Sequence, residues 1–154
     1  MGELYDLSVG DSVTFAKTVS EADVYMYAGI TGDFSVNHVN EQYMADSMFG
    51  HRIAHGALMI GFMSTCSTMM IDKANSTGKG ETSVSLGYDR VRFLGPVYFG
   101  DTVTLTYTIV SIDTIKRETR SEARAVNQKG ELVAVGTHIL RWVKDTGGQR
   151  PARP

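Results

Sequence analysis

An acid and an imidazole, Asp33 and His38, stand five positions apart in this chain, inside the run Gly32-Asp33-Phe34-Ser35-Val36-Asn37-His38. On a helix, side chains at that spacing diverge by about 140°, and on a strand they face opposite ways, so the two meet only if the chain between them is irregular. If they do meet over one water molecule, they have the residue types needed to take a proton from it and return one elsewhere. The alternative from residue type alone is that Asp33 caps the next segment and His38 is a packing residue. Gly56 stands where an apolar run begins. A backbone N–H at a helix start lacks an intrahelical partner and accepts partial negative charge, and glycine lets a ligand approach closely, which makes an oxyanion site one reading and a tight bend the other.

Other residues with chemical potential are weaker. His51 and His55 have i,i+4 spacing, but Gly50 and Gly56 flank them and no cysteine-rich partner set exists. No metal site is expected. His138 falls in a strand pattern, as a core or rim residue. The single cysteine, Cys66, has Ser64, Thr65, Ser67 and Thr68 around it and no obvious base, and reads as a buried thiol in a reducing compartment. Asn75-Ser76-Thr77 matches a glycosylation sequon that a cytoplasmic chain would not use.

The elements that must position these groups follow from periodicity. Val13, Phe15 and Val19 against Ser12, Thr14 and Thr18 give a first strand. Ser20 with Asp23 forms a capping-box start, so a helix runs from about 20 to 29, closed by Gly29. Residues 30–38 have no period and read as an ordered loop, and a brief helix covers 40–46. From Gly56 to Asp72 the apolar residues spread around a long helix rather than forming one stripe, as expected of a helix surrounded by other structure. Met59 and Met63 fill core space or line an adaptable apolar pocket. Four strands follow: one to Phe93 with a slip near Asp89, one over 102–110, one over 118–127 with a solvated charged face, and one over 132–142. The predicted fold is α+β, a curved antiparallel sheet wrapped around a long central helix, as a single domain over 1–145 with a flexible tail at 146–154. The edges of such a sheet are covered by pairing two copies, so a dimer is expected.

Composition narrows the classes further. The chain has 154 residues, 42% hydrophobic and 21% charged, which suits one globular domain and excludes disordered and disulfide-scaffold classes. Fifteen basic and seventeen acidic residues, in no block, offer no nucleic-acid footprint. Ile53 to Ile71 is nineteen residues without a charge, long enough for a membrane span, but its hydroxyls, glycines and His55 argue for a helix wrapped by protein. No secretory or lipidation signal is read at the start, so the expected location is cytoplasmic.

Three pieces then act together: Tyr27-Ala28-Gly29-Ile30-Thr31-Gly32-Asp33-Phe34 ending in His38, then Ile53-Ala54-His55-Gly56, then Phe93-Leu94-Gly95-Pro96-Val97 with Gly100-Asp101. In this order they resemble the MaoC-like family of (R)-specific enoyl-CoA hydratases, whose members have the hotdog fold. The resemblance implies reversible hydration of a trans-2-enoyl-CoA to a (R)-3-hydroxyacyl-CoA. Asp33 and His38 match the pair that holds the water, and Gly56 matches the position whose N–H receives the thioester oxygen. Substrate binding is implied for Ser35, Phe49, Ile53, Ala54, His55 and Met59. No metal or prosthetic group is implied, coenzyme A being part of the substrate, and the expected partner besides the acyl-CoA is a second copy of the chain, as a homodimer or higher homo-oligomer. Arg52, Lys79, Arg90 and Arg92 are candidates to steer the coenzyme A phosphates, with ordinary surface charge as the alternative. A thioesterase on the same fold and a non-catalytic acyl-thioester binding module stay open. The loop departs from the usual Asp-x-Asn-Pro-aliphatic-His, placing Ser35, Val36 and Asn37 at the last three positions before His38.

Overall fold

Strand-forming stretches dominate the second half of the chain, and in the computed structural model, which describes residues 4–145, they assemble with the first strand into one antiparallel sheet. Its strands are β1 (Ser12–Thr18), β2 (Glu81–Phe93), β3 (Thr102–Asp113), β4 (Glu118–Val126) and β5 (Leu132–Lys144), in the spatial order β1-β3-β4-β5-β2. Between β1 and β2 lie α1 (Glu21–Thr31), α2 (Val36–Val39), α3 (Glu41–Ala45) and α4 (Leu58–Lys73). The expected tail at 146–154 lies outside the described residues.

Local chemistry accounts for the element ends. Ser20 caps α1 by accepting from the Asp23 amide, while the Asp23 carboxylate accepts from the Ser20 amide at 2.8 Å, the reciprocal box expected from sequence. The helix does not stop at Gly29. It continues to Thr31 and closes on Gly32, which takes a left-handed conformation (φ 81°) and donates its N–H to the Ala28 carbonyl at 2.8 Å. Asn40 caps α3 by accepting from the Tyr43 amide. The slip expected near Asp89 is present as a register break between Asp89 and Arg92 in the β2–β5 pairing, with Arg90 at φ 54°.

One face of the sheet packs against α4 through Met59, Phe62, Met63, Cys66 and Met70, an i,i+3,i+4 series of buried positions. Gly61, Ser64, Thr65 and Thr68 lie exposed on the other side of the helix. The expectation of a helix enclosed on all sides is therefore corrected for a single chain: short hydroxyl side chains and a glycine form a second face that the sheet does not cover. Burial pushes the Cys66 thiol up to about 11. In β4 the residues Arg120, Glu122 and Arg124 are solvated as predicted, but Glu118 is buried and accepts from Arg141 Nε at 2.7 Å.

His138 turns out to be a core residue. Its Nδ1 lies 2.7 Å from the Tyr107 hydroxyl, its Nε2 lies 2.7 Å from the Ser85 hydroxyl, and its ring stacks on Tyr88 at 4.5 Å. Burial pushes this imidazole down to about 4. The folded state then binds a proton less readily than the unfolded chain between pH 6.5 and about 4, so stability falls as pH falls through that window and levels off below it. The shift corresponds to on the order of 3 kcal/mol. Denaturant unfolding of wild type and His138→Gln at pH 7 and 4.5 checks this, because the acidic loss should be smaller in the variant; equal losses in both would remove His138 as the cause.

Candidate active site

Irregular chain is what Asp33 and His38 need in order to meet, and the structure supplies it in only four residues. With α1 closed on Gly32, the stretch Gly32–Ser35 breaks the helical path before α2 takes it up again and carries His38. Asp33 Oδ1 accepts from the Ser35 amide at 3.3 Å, and its own amide donates to Thr31 Oγ1 at 3.2 Å. The expected loop over 30–38 is thus helical at both ends. The two side chains nevertheless converge: Asp33, His38 and His55 each place one potential ligand atom within 4.8 Å of the others.

His38 is buried and its ring is oriented by one short bond, from Nδ1 to the Ile53 carbonyl at 2.7 Å. A carbonyl only accepts, so Nδ1 carries the proton, and in the neutral ring Nε2 keeps its lone pair. His55 follows the same logic with the nitrogens exchanged: Nε2 donates to the Asp33 backbone carbonyl at 2.9 Å and lies 3.9 Å from Oδ2 of the same residue. Its Nδ1 is buried with no hydrogen-bond partner among the described residues. The His38 and His55 rings stack with centroids 3.7 Å apart and planes 28° from parallel. Nitrogen lone pairs lie in the ring planes, so two stacked imidazoles are poorly arranged to converge on one metal ion. The i,i+4 pair His51 and His55 is not brought together either: His51 Nδ1 meets Glu41 Oε1 at 2.7 Å on the surface.

Gly56 belongs to a segment held from two sides. The Ile53 amide donates to the Asn37 carbonyl at 3.0 Å and the Ala54 amide to the Val97 carbonyl at 2.7 Å. The amides of Leu58, Met59 and Ile60 turn back onto the carbonyls of His55, Gly56 and Ala57, leaving the Gly56 and Ala57 amides unpartnered among the described residues. No side chain caps this end of α4. The result is a helix start whose first donors are free for an acceptor from outside the chain. A Cβ on Gly56 would lie 2.7 Å from ring atoms of Phe93, so glycine here is a matter of space.

A cavity of about 440 Å³ joins these groups. Of the positions singled out from sequence, His38, Phe49, Ile53, Ala54, His55, Gly56 and Met59 line it; Asp33 does not, but it places a carboxylate oxygen within 4.8 Å of ring nitrogens of the lining residues His38 and His55. Ser35 does not line it; its side chain is exposed while its backbone serves Asp33 and His38. The opposite wall is formed by Phe93, Leu94, Gly95, Pro96, Val97 and Val133, positions without an expected role in sequence even though the run 93–97 is one of the three pieces that carry the resemblance. Asn37 lines the cavity too, and its Oδ1 is buried without a partner among the described residues. An apolar side chain, usual at this position, would leave no such group. Phe49 is placed by Tyr98, whose hydroxyl donates to the Phe49 carbonyl at 3.0 Å.

Of the basic candidates, Arg52 is already engaged. Its Nη1 donates to Glu21 at 2.8 Å, its Nε to Glu41 at 3.0 Å, and its guanidinium lies 4.7 Å from the Phe99 ring centroid. His51 and Arg52 together hold the Glu41 carboxyl down to about 2. Arg52 is therefore part of a surface ion cluster rather than a free cation. Lys79 lies over the Tyr5 ring at 5.4 Å, while Arg90 and Arg92 are exposed on β2 beside Phe93.

The family model described as the MaoC like domain matches residues 6–131. The chain belongs to the MaoC-like family. An (R)-specific enoyl-CoA hydratase from Rhodospirillum rubrum is 38% identical over 107 residues, 70% of this MaoC-like chain and 69% of that protein. A 3-hydroxybutyryl-CoA dehydratase from Methylorubrum extorquens is 31% identical, over 75% of this chain and 68% of its own length. Among solved structures, the (R)-hydratase from A. caviae superposes with a TM-score of 0.77 at 27% identity, covering 88% of this chain and 96% of that one. The likeness bears out the hotdog fold, and the five-stranded sheet on α4 is its form here.

Proposed function

We propose that this MaoC-like protein is a hydro-lyase that reversibly hydrates a trans-2-enoyl-CoA to a (R)-3-hydroxyacyl-CoA. The observation that carries the reading is geometric. Asp33 and His38 bring potential ligand atoms within 4.8 Å of each other, and His38 lines a cavity whose wall also includes Gly56, whose amide has no partner among the described residues. The named activities of the relatives in Rhodospirillum rubrum and Methylorubrum extorquens agree with it.

The chemistry balances with the chain's own groups. A water held between the Asp33 carboxylate and His38 gives up one proton to the pair, and its oxygen bonds to the β-carbon of the enoyl thioester. The π electrons move onto the thioester oxygen, where the Gly56 N–H at the start of α4 stabilises the enolate. Return of the proton from the pair to the α-carbon completes the addition, and the reverse sequence is dehydration. No metal or prosthetic group has a part in this scheme, and coenzyme A enters only as the thioester carrier.

Assaying the wild type on enoyl-CoAs of several chain lengths, including branched and dicarboxylic acyl groups, tests the reading. Loss of the conjugated double bond without release of free thiol is the expected result. Free thiol would indicate a thioesterase instead, and tight binding with no turnover on any substrate would indicate a binding module.

The assembly we infer is a homodimer. Among the described residues β1 and β2 leave both edges of the sheet unpaired, and Ile30, Phe34, Met48 and Leu94 expose apolar surface, Met48 to 92%. Sedimentation should return twice the 16.8 kDa mass of the chain. No helix among the described residues is long and apolar enough to cross a membrane. The buried free thiol of Cys66 supports a reducing, cytoplasmic setting.

A further inference from the structure

We propose that His55 is a positioning residue that locks the Asp33–His38 pair to the Gly56 amide, an inference that rests on the hydratase reading of the same site. His55 is 2% exposed, and its single ring touches both members of the pair. Its Nε2 donates to the Asp33 carbonyl at 2.9 Å, one face stacks on His38 at 3.7 Å, and Tyr27 of α1 packs against it at 4.7 Å. Its own backbone leads directly into Gly56.

The two groups it touches are otherwise loosely held. Asp33 is more than half exposed, and its remaining bonds, to Thr31 and Ser35, are 3.2 and 3.3 Å long. His38 has a single bond to Ile53, which fixes one ring nitrogen but leaves the plane of the ring to be set by what lies against its face. That face is His55. Histidine is suited to both tasks, because phenylalanine would stack without donating and glutamine would donate without stacking.

The same contacts separate this role from catalysis. The Nε2 proton is committed to a main-chain carbonyl, and Nδ1 is buried without a partner, so His55 has no route by which to pass a proton to substrate. It acts through Asp33 and His38. It also lines the cavity, as the substrate-binding role implied for it by the family resemblance requires.

The test compares His55→Phe, His55→Gln and His55→Ala with wild type, by steady-state kinetics and by NMR of the imidazole nitrogens. Each of the first two should lower kcat about tenfold and His55→Ala about a hundredfold, with KM within about threefold of wild type, as expected when reacting groups are misplaced by about an ångström. His38 should show one tautomer, protonated at Nδ1, in wild type and His55→Phe, and a mixture in His55→Ala. Wild-type kcat in all variants that fold overturns the proposal, as does a rise in KM at unchanged kcat, which would make His55 a substrate contact. If the wild type hydrates no enoyl-CoA, the function reading fails and the NMR decides the positioning: an unchanged His38 tautomer in His55→Ala overturns it, and a mixture supports it. Should His55→Ala not fold, the Gln variant, which also lacks the stack, takes its place in the NMR comparison.

Discussion

Asp33→Asn should lower kcat for enoyl-CoA hydration by about a thousandfold, and His38→Ala should do the same, each within the range that a positioned acid–base group contributes. The reason lies in what each change removes. The asparagine keeps the shape of Asp33 and its acceptor toward the Ser35 amide but loses the negative charge that helps draw a proton from water. Alanine removes the Nε2 lone pair together with the Nδ1 bond to Ile53. Asp33 is more than half exposed, so Asp33→Asn should leave thermal stability near wild type, whereas loss of the buried His38 bond should cost about 1 kcal/mol. If the two groups serve one water, as proposed, the double variant should be little worse than the poorer single one. Initial rates of double-bond loss measure all of this. Retention of more than a tenth of wild-type kcat by either single variant would remove the dyad from the chemistry.

The parts of this site that were legible in the sequence are those encoded locally. The capping box at Ser20, the alternation of Val103, Leu105 and Tyr107 with threonines, and the slip near Asp89 each depend on neighbours in the chain, and each appears as expected. The irregular stretch expected from the absence of any period is also present, though shorter than the expected loop over 30–38, because α1 continues to Thr31 and α2 begins at Val36. What local pattern could not show is pairing across distance. Arg52 looks like a free cation in sequence, yet Glu21 lies 31 positions away and meets it at 2.8 Å. Glu118 follows the alternation of a solvated face, yet Arg141, its register partner on β5, buries it. Gly29 and Gly32 are both plausible helix stops by residue type, and only Gly32 adopts positive φ. The stack of His55 on His38 joins residues 17 apart on either side of α3, and no spacing rule relates them.

Gly56→Ala should be nearly as damaging as loss of the dyad, by a different route. The new Cβ would lie 2.7 Å from Cγ and Cδ2 of Phe93, inside contact distance, while Gly56 itself does not have a positive φ. The backbone therefore tolerates alanine and the clash falls on the ring. Phe93 is 49% exposed and can swing aside, so the variant should fold, less stable by about 1–3 kcal/mol as for an overpacked site. Both residues line the cavity, and either a displaced ring or the methyl group itself obstructs the approach of a thioester oxygen to the Gly56 amide. Losing one oxyanion donor costs about 100- to 1000-fold in kcat, which sets the expected fall. Phe93→Ala separates the two effects. Combined with Gly56→Ala it should recover the thermal stability, because the clash is gone, yet leave kcat at least about tenfold below that of Phe93→Ala alone, because the methyl group still crowds the amide. Full recovery of kcat in the double variant would mean that Gly56 serves only to make room for the Phe93 ring, and the enolate would then need another donor at the start of α4, where the Ala57 amide is the next one free.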